Sequence, residues 1–183
     1  MIETDRLIIR LAEPSDIPEI VRFHRENSAF LQPFSPTFGP ELFDEAEWRD
    51  QVSIRRTEFE RGESFRGFIF PRVSPRHMAG NMNLTQVVRG AFQACSLGYN
   101  LAEGEQGRGY MTEAVRATVA FAFRDWRLHR VAAQYMPHNR PSAAVLERCG
   151  FTIEGIAPAY LRINGRWEDH VLTAVTNPEW SAS

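Results

Sequence analysis

The stretch EGEQGRGYMTEAV, Glu103 to Val115, limits this chain more than any other. Ahead of it stands the β-rich run FQACSLGYNLA, and behind it YMTEAVRATVAFAFRDW sets Met111, Val115, Val119, Ala122 and Trp126 on one helical stripe. A further β-rich run, RVAAQYMP, follows. Strand, glycine turn, helix, strand predicts a right-handed crossover, which makes the two strands parallel. A helix start presents unpaired N–H groups and the positive end of a dipole, and Gly104, Gly107 and Gly109 let an anion approach that backbone closely. The turn is therefore a phosphate loop or a plain tight connection, and spacing alone leaves both open. A GxxxxGK[ST] loop is excluded because no Gly-Lys pair exists. A dinucleotide GxGxxG fails at its third glycine, where Thr112 stands.

Around this unit the periodicity predicts one domain, residues 1–183. RLIIRLA reads as a first strand. PSDIPEIVRFHRENSAFL reads as a helix capped by Ser15 or Asp16, with Ile17, Ile20, Val21 and His24 inward. QPFSPTFGP is a loop, and a second helix follows with Phe43, Trp48, Val52, Arg55 and Phe59 inward and Gly62 as its stop. FRGFIFPRV and HMAGNMNLTQVV read as strands, RPSAAVLERCG as a short helix, and the tail as a hairpin turning at Asn164-Gly165. The fold class is α/β (or α+β), with a mixed, mostly antiparallel sheet flanked by helices.

With 43% hydrophobic and 24% charged residues the chain reads as a globular protein. A net charge of −2 argues against non-specific nucleic-acid binding, which needs many cationic phosphate contacts. Cys95 and Cys149 form no CxxC, so no structural zinc or other metal site is expected, and their sparseness fits a reducing compartment. The charged start MIETDRLIIRL is unlike a signal peptide, and no apolar run approaches a membrane span. A cytoplasmic protein is expected, without membrane contact and monomeric or homodimeric.

Gly107-Arg108-Gly109 also matches the GxG of the [Q/R]xxGx[G/A] pyrophosphate loop of the GNAT (Gcn5-related) N-acetyltransferases, where that loop joins a bulged strand to a helix. Gly104 replaces the usual Gln or Arg, which removes a side-chain contact and leaves the backbone cradle. TDRLIIRLAEPSD, NLTQVVRGAFQACSLGYNL, YMPHNRPSAAVLERCGFTIEG and NGRWEDHVLTA resemble the RimJ/RimL-type ribosomal-protein-alanine N-acetyltransferases over nearly the whole chain. The resemblance implies a central pair of splayed parallel strands and acetyl-CoA as donor, released as CoA. It maps the cofactor arm onto Tyr99, Asn100 and Leu101, and the pyrophosphate onto backbone N–H groups of Gln106, Gly107, Arg108, Gly109, Tyr110 and Met111. Asn139 matches the family's cofactor-contacting asparagine, and it is equally a good helix N-cap.

The resemblance further implies direct attack of an amine on the thioester in a ternary complex, with a backbone N–H near Leu97 to Tyr99 as oxyanion donor. The tyrosine common on the helix after the asparagine is Leu146 here, and a base glutamate found on the preceding strand is Gln134. Ser142 matches the Rim-type serine and is the expected donor to the leaving thiolate, with helix capping as its other role. Tyr160 stands where a related branch carries an acidic catalytic candidate, and otherwise it is a half-buried strand tyrosine. His138 tunes its loop, His170 pairs with Asp169, and Glu113 complements the helix dipole. Phe30, Leu31 and Phe34 are expected in the acceptor groove. The implied function is acetylation of a protein N-terminal α-amine, foremost an alanine of a ribosomal protein. A small amine, polyamine or antibiotic acceptor, and a CoA-binding module with little turnover, are the alternatives.

Overall fold

The computed structural model describes residues 1–181. Its eight strands are β1 (Ile2–Glu3), β2 (Leu7–Arg10), β3 (Phe65–Pro71), β4 (Gly80–Val88), β5 (Ala94–Leu101), β6 (Arg130–Tyr135), β7 (Thr152–Ile163) and β8 (Arg166–Thr176). They form one sheet in the order β1-β2-β3-β4-β5-β6-β8-β7. Only β5 and β6 run parallel. Four helices accompany it: α1 (Ile17–Leu31), α2 (Glu45–Glu60), α3 (Tyr110–Arg124) and α4 (Arg140–Arg148).

Alternation along the strands divides the core into two layers. Phe68 and Phe70 of β3 pack with Ile20 and Phe23 of α1 and Trp48 and Val52 of α2. Phe65, Ile69, Met82, Leu84, Leu97 and Val131 face the other way, against Met111, Ala114, Val115 and Ala122 of α3 and Leu146 of α4. The predicted stripe of α3 is thus its buried face. Trp126 lies past the helix end and packs on Phe121 at 5.4 Å.

Three local expectations change. Asp16 does not cap α1 with its side chain. It accepts both Arg10 Nη groups, at 2.6 and 2.9 Å, and the Glu13 N–H at 2.7 Å. A bidentate guanidinium outcompetes a single helix N–H. Asp169 does not pair with His170: it accepts the Ala159 N–H at 2.8 Å, where residues 158–160 leave the ladder. Buried His170 instead sets Nδ1 3.0 Å from the Glu168 carbonyl. The bulge lies in β4, between Thr85 and Val88, and not in the strand that feeds the glycine loop. Asn164-Gly165 does turn the final hairpin, with φ values of 43° and 81°.

Among the described residues no helix is long and apolar enough to cross a membrane, and no three His, Cys, Asp or Glu side chains converge as a metal site would.

Candidate active site

The site begins where two strands part. β5 pairs with β6 from Ala94 to Leu97, opposite Arg130 to Ala133, and the ladder stops there. Beyond it, Gly98 to Leu101 pair only with β4, while Gln134 and Tyr135 pair only with β8. The strand carrying Tyr99, Asn100 and Leu101 thus presents one open backbone edge. Such an edge satisfies itself by pairing with an extended amide-bearing chain.

The open edge leads into the glycine loop. One tight turn, Glu103–Glu105, precedes Gly107 and Gly109, whose φ values of 75° and 76° lie in the left-handed region. Only glycine takes that conformation without strain. The six amides from Gly107 to Thr112 donate to no acceptor among the described residues. The Gln106 N–H is bonded to the Glu103 carbonyl at 3.3 Å, so the free run starts one residue later than expected and extends to Thr112. Tyr110 and Met111 bury their side chains, leaving only their backbone for an anion.

The loop is anchored on three sides. Asn27 of α1 accepts the Glu103 N–H at 3.0 Å. His77 Nε2 lies 3.1 Å from Glu105, which also holds Arg108 at 2.8 Å, so the loop's own cation is held aside. Arg6 Nη1 donates to the Arg108 carbonyl at 2.9 Å. Glu113 clips α3 to the β1–β2 turn, accepting Thr4 Oγ1 and Arg6 Nε, each at 2.6 Å. Burial pushes its carboxyl upward, but these hydrogen bonds outweigh that and hold it below the usual range.

Across the splay, α4 presents Asn139 and Ser142. Asn139 Oδ1 accepts the Ser142 N–H at 3.2 Å, so it is the N-cap of α4. Ser142 Oγ lies 2.9 Å from the Tyr99 hydroxyl. Burial pushes the Tyr99 phenol up to about 12, more than its bond to Ser142 draws it down, so it stays protonated. A phenol therefore does reach α4, from β5 rather than from the Leu146 position, which is core. The resemblance places Tyr99 along the cofactor arm without a role for its hydroxyl; the alternation of β5, which puts Leu97, Tyr99 and Leu101 on the α3–α4 side, brings that hydroxyl to Ser142.

The opposite side of the splay is polar and open. Ser96 meets Gln134 at 3.4 Å and Asn83 meets Asn81 at 3.3 Å, which sets all four on the face away from α3. Gly98 shares that face, and a Cβ there would meet nothing within 4 Å. A roof closes from the α1–α2 connection. The Ser35 carbonyl accepts the Asn164 N–H at 2.9 Å, docking this connection on the β7–β8 turn. The Phe34 ring meets that of His138 at 6.1 Å, next to Asn139. Phe34 is exposed and Phe30 half-buried, but Leu31 is core, 5% exposed, and holds the roof from beneath. Tyr160 is 40% exposed beside His170, in the irregular part of β7, and its phenol bonds to none of the described residues.

Neither cysteine is poised as a nucleophile. Burial raises the Cys95 thiol to about 12, and it raises Cys149 as well. Cys149 Sγ donates to the Thr112 carbonyl at 3.5 Å, tying α4 to α3.

The same arrangement of chain is known elsewhere. The family model described as acetyltransferase (GNAT) domain matches residues 6–152. The chain belongs to the GNAT acetyltransferases. Among its relatives, the [ribosomal protein uS5]-alanine N-acetyltransferase of Escherichia coli (strain K12) is 38% identical over 178 residues, 97% of this chain and 91% of that protein. The crystal structure of ribosomal-protein-S5-alanine acetyltransferase from Vibrio fischeri superposes with a TM-score of 0.93 at 32% identity, covering 98% of each chain. Mycobacterium smegmatis RimJ in complex with CoA-disulfide gives 0.87 at 28% identity, over 97% of this chain and 85% of that one. This GNAT domain is an acetyltransferase with the splayed β5–β6 pair at its centre.

Proposed function

We propose that this GNAT domain, acting as a single unit over residues 1–183 in the cytoplasm, transfers an acetyl group from acetyl-CoA to the α-amine of a protein N-terminus, foremost an alanine of a ribosomal protein. The observation that carries the donor half is the open edge of Gly98 to Leu101 running into six unbonded amides, Gly107 to Thr112. That edge suits the amides of the pantetheine arm, and the free N–H run suits a diphosphate. The relatives named for alanine acetylation of a ribosomal protein support the acceptor half.

Acetyl-CoA supplies an acetyl thioester and a thiolate that can depart. A backbone N–H between Leu97 and Tyr99 donates to the oxyanion formed by amine attack. Ser142 Oγ–H donates a hydrogen bond to the departing sulfur, and the proton lost by the attacking nitrogen passes through water, leaving CoA and the N-acetyl product. Tyr99, kept protonated, donates to Ser142 Oγ in turn, which aims the serine hydrogen across the splay. Asn139 fixes Ser142 by capping α4 through Oδ1, and its side-chain N–H groups, bonded to none of the described residues, are left for the cofactor arm. Phe30, Phe34 and Tyr160 line the acceptor side, and Leu31 supports them from the core.

The deciding experiment is free-thiol release from acetyl-CoA with two peptides. One has a free N-terminal alanine and no lysine; the other is N-blocked and contains lysine. Release with the first alone is expected. Release with the second alone, or with small amines only, refutes the N-terminal reading. Tight acetyl-CoA binding with no release on any acceptor means a binding module.

A further inference from the structure

Arg55 of α2 lies partly buried, its guanidinium over the rings of Trp48 (4.7 Å) and Phe68 (5.7 Å). It donates to no acceptor among the described residues, and its Nε is shielded from solvent without a partner. Glu58, one turn along α2, is committed elsewhere: it accepts Ser64 Oγ at 2.6 Å and lies 3.3 Å from Arg66 Nε. Glu58 thus serves Arg66 and leaves Arg55 without a carboxylate. Burial, with Arg66 adding repulsion, lowers Arg55 to about 10, the mark of a cation lacking its counter-charge. Most other buried or half-buried cations here have one, as Arg10 has Asp16. A partly desolvated charge without a partner is a standing cost unless something completes it.

Arg66, close enough to repel Arg55, sits at the end of a row that leads to the splay. Arg66 of β3 stands opposite Asn83 of β4, and Asn83 stands opposite Gly98 of β5. Neighbouring strands are about 4.8 Å apart, which puts Arg66 roughly 10 Å from Gly98. Three extended residues span about that distance. The face is the polar, open one, on which Gly98 leaves room.

We propose that Arg55, with Arg66 beside it, is a carboxylate-binding subsite of the acceptor cleft, taking an aspartate or glutamate at the second to fourth residue of the polypeptide whose N-terminal amine reaches Gly98. This rests on the N-terminal acetyltransferase reading above. A planar fork between two aromatic rings binds a carboxylate bidentately, and a neutral carbonyl would leave the net charge of the row uncompensated.

The test uses peptides with N-terminal alanine, identical except for Glu, Gln or Arg placed at residue 2, 3 or 4. The wild-type protein is expected to favour Glu over Gln by about tenfold in kcat/KM at one of these positions and to disfavour Arg there. Arg55→Met, which keeps the packing between Trp48 and Phe68, should erase that preference and leave the acetyl-CoA KM unchanged. Arg55→Lys, which keeps the charge without the fork, should retain part of it, and it decides the matter if the methionine variant does not fold. Turnover without a Glu preference at any position, or a preference that survives in the variants, overturns the subsite and leaves the function standing. No turnover on any peptide overturns the N-terminal reading, and the subsite falls with it.

Discussion

Replacing Gly107 by alanine tests whether the loop is held for a ligand. A Cβ at Gly107 would meet nothing within 4 Å, so the substitution adds no clash. It does force an L-residue to a φ of 75°. That conformation costs about 1–2 kcal/mol. If the loop keeps its shape, the cost appears as lost stability. If it relaxes when empty and reforms around the diphosphate, the cost appears in acetyl-CoA binding, as a KM about 5- to 30-fold higher. The anchors hold Glu103, Glu105 and the Arg108 carbonyl but not Gly107 itself. Local relaxation is therefore expected, and most of the effect should fall on KM with kcat unchanged. Gly104→Ala is the control, since Gly104 has neither a positive φ nor a neighbour within 4 Å. Steady-state kinetics and urea unfolding of both variants supply the two quantities. If Gly107→Ala changes neither KM nor stability, or if Gly104→Ala changes KM equally, the loop is not a preorganised cradle.

The other predictions concern the two sides of the splay and the core. Gly98→Leu should leave folding and acetyl-CoA affinity intact while lowering kcat/KM for a peptide by about a hundredfold, because it fills the open space through which the proposed acceptor amine enters. Asn139→Ala should destabilise the fold by about 1 kcal/mol through loss of the α4 cap; if Asn139 also contacts the cofactor, the acetyl-CoA KM rises several-fold. Ser142→Ala should lower kcat with little change in KM, and Tyr99→Phe should lower it less, measured as thiol release under saturating acetyl-CoA. Burial lowers His24 from 6.5 to about 4, with Arg55 contributing. The folded state therefore favours neutral imidazole, and stability is lost as pH falls from 6.5 towards 4, by up to roughly 3 kcal/mol. Unfolding midpoints should show that loss in the wild type and a smaller one in His24→Leu.

Much of this fold was legible because its signals are local. The stripe of α3, the Asn164-Gly165 turn and the strand–glycine–helix unit each depend on a few neighbouring residues, and each came out as read. The two-residue β1 had no such signal, since only its pairing with β2 makes it a strand. The site divides the same way. The glycines and the Asn139 cap follow from backbone rules. The Tyr99–Ser142 contact joins residues 43 apart in sequence, and the anchoring of Glu113 by Arg6 joins residues 107 apart. Arg55 was visible as an inward residue of α2, but its missing carboxylate depends on Glu58 choosing Arg66 and Ser64, which only the packing decides.

The character of the acceptor face bears on which amine this chain can use. Asn81, Asn83, Ser96 and Gln134 offer amide and hydroxyl oxygens, which hold an amine by its N–H bonds but cannot remove a proton. Asp169, a carboxylate on the β7–β8 side, is committed to the Ala159 N–H. An amine entering such a cleft must arrive neutral or give its proton to water. At pH 7 about a tenth of an α-amine is neutral, against roughly one lysine in 2,500. On the proposed N-terminal reading, a cleft of amides meets about 250 times more neutral α-amine than neutral lysine at equal concentration. Gln134 offers no carboxylate to this face, so on the proposed N-terminal reading the proton leaves through water rather than through a side-chain base.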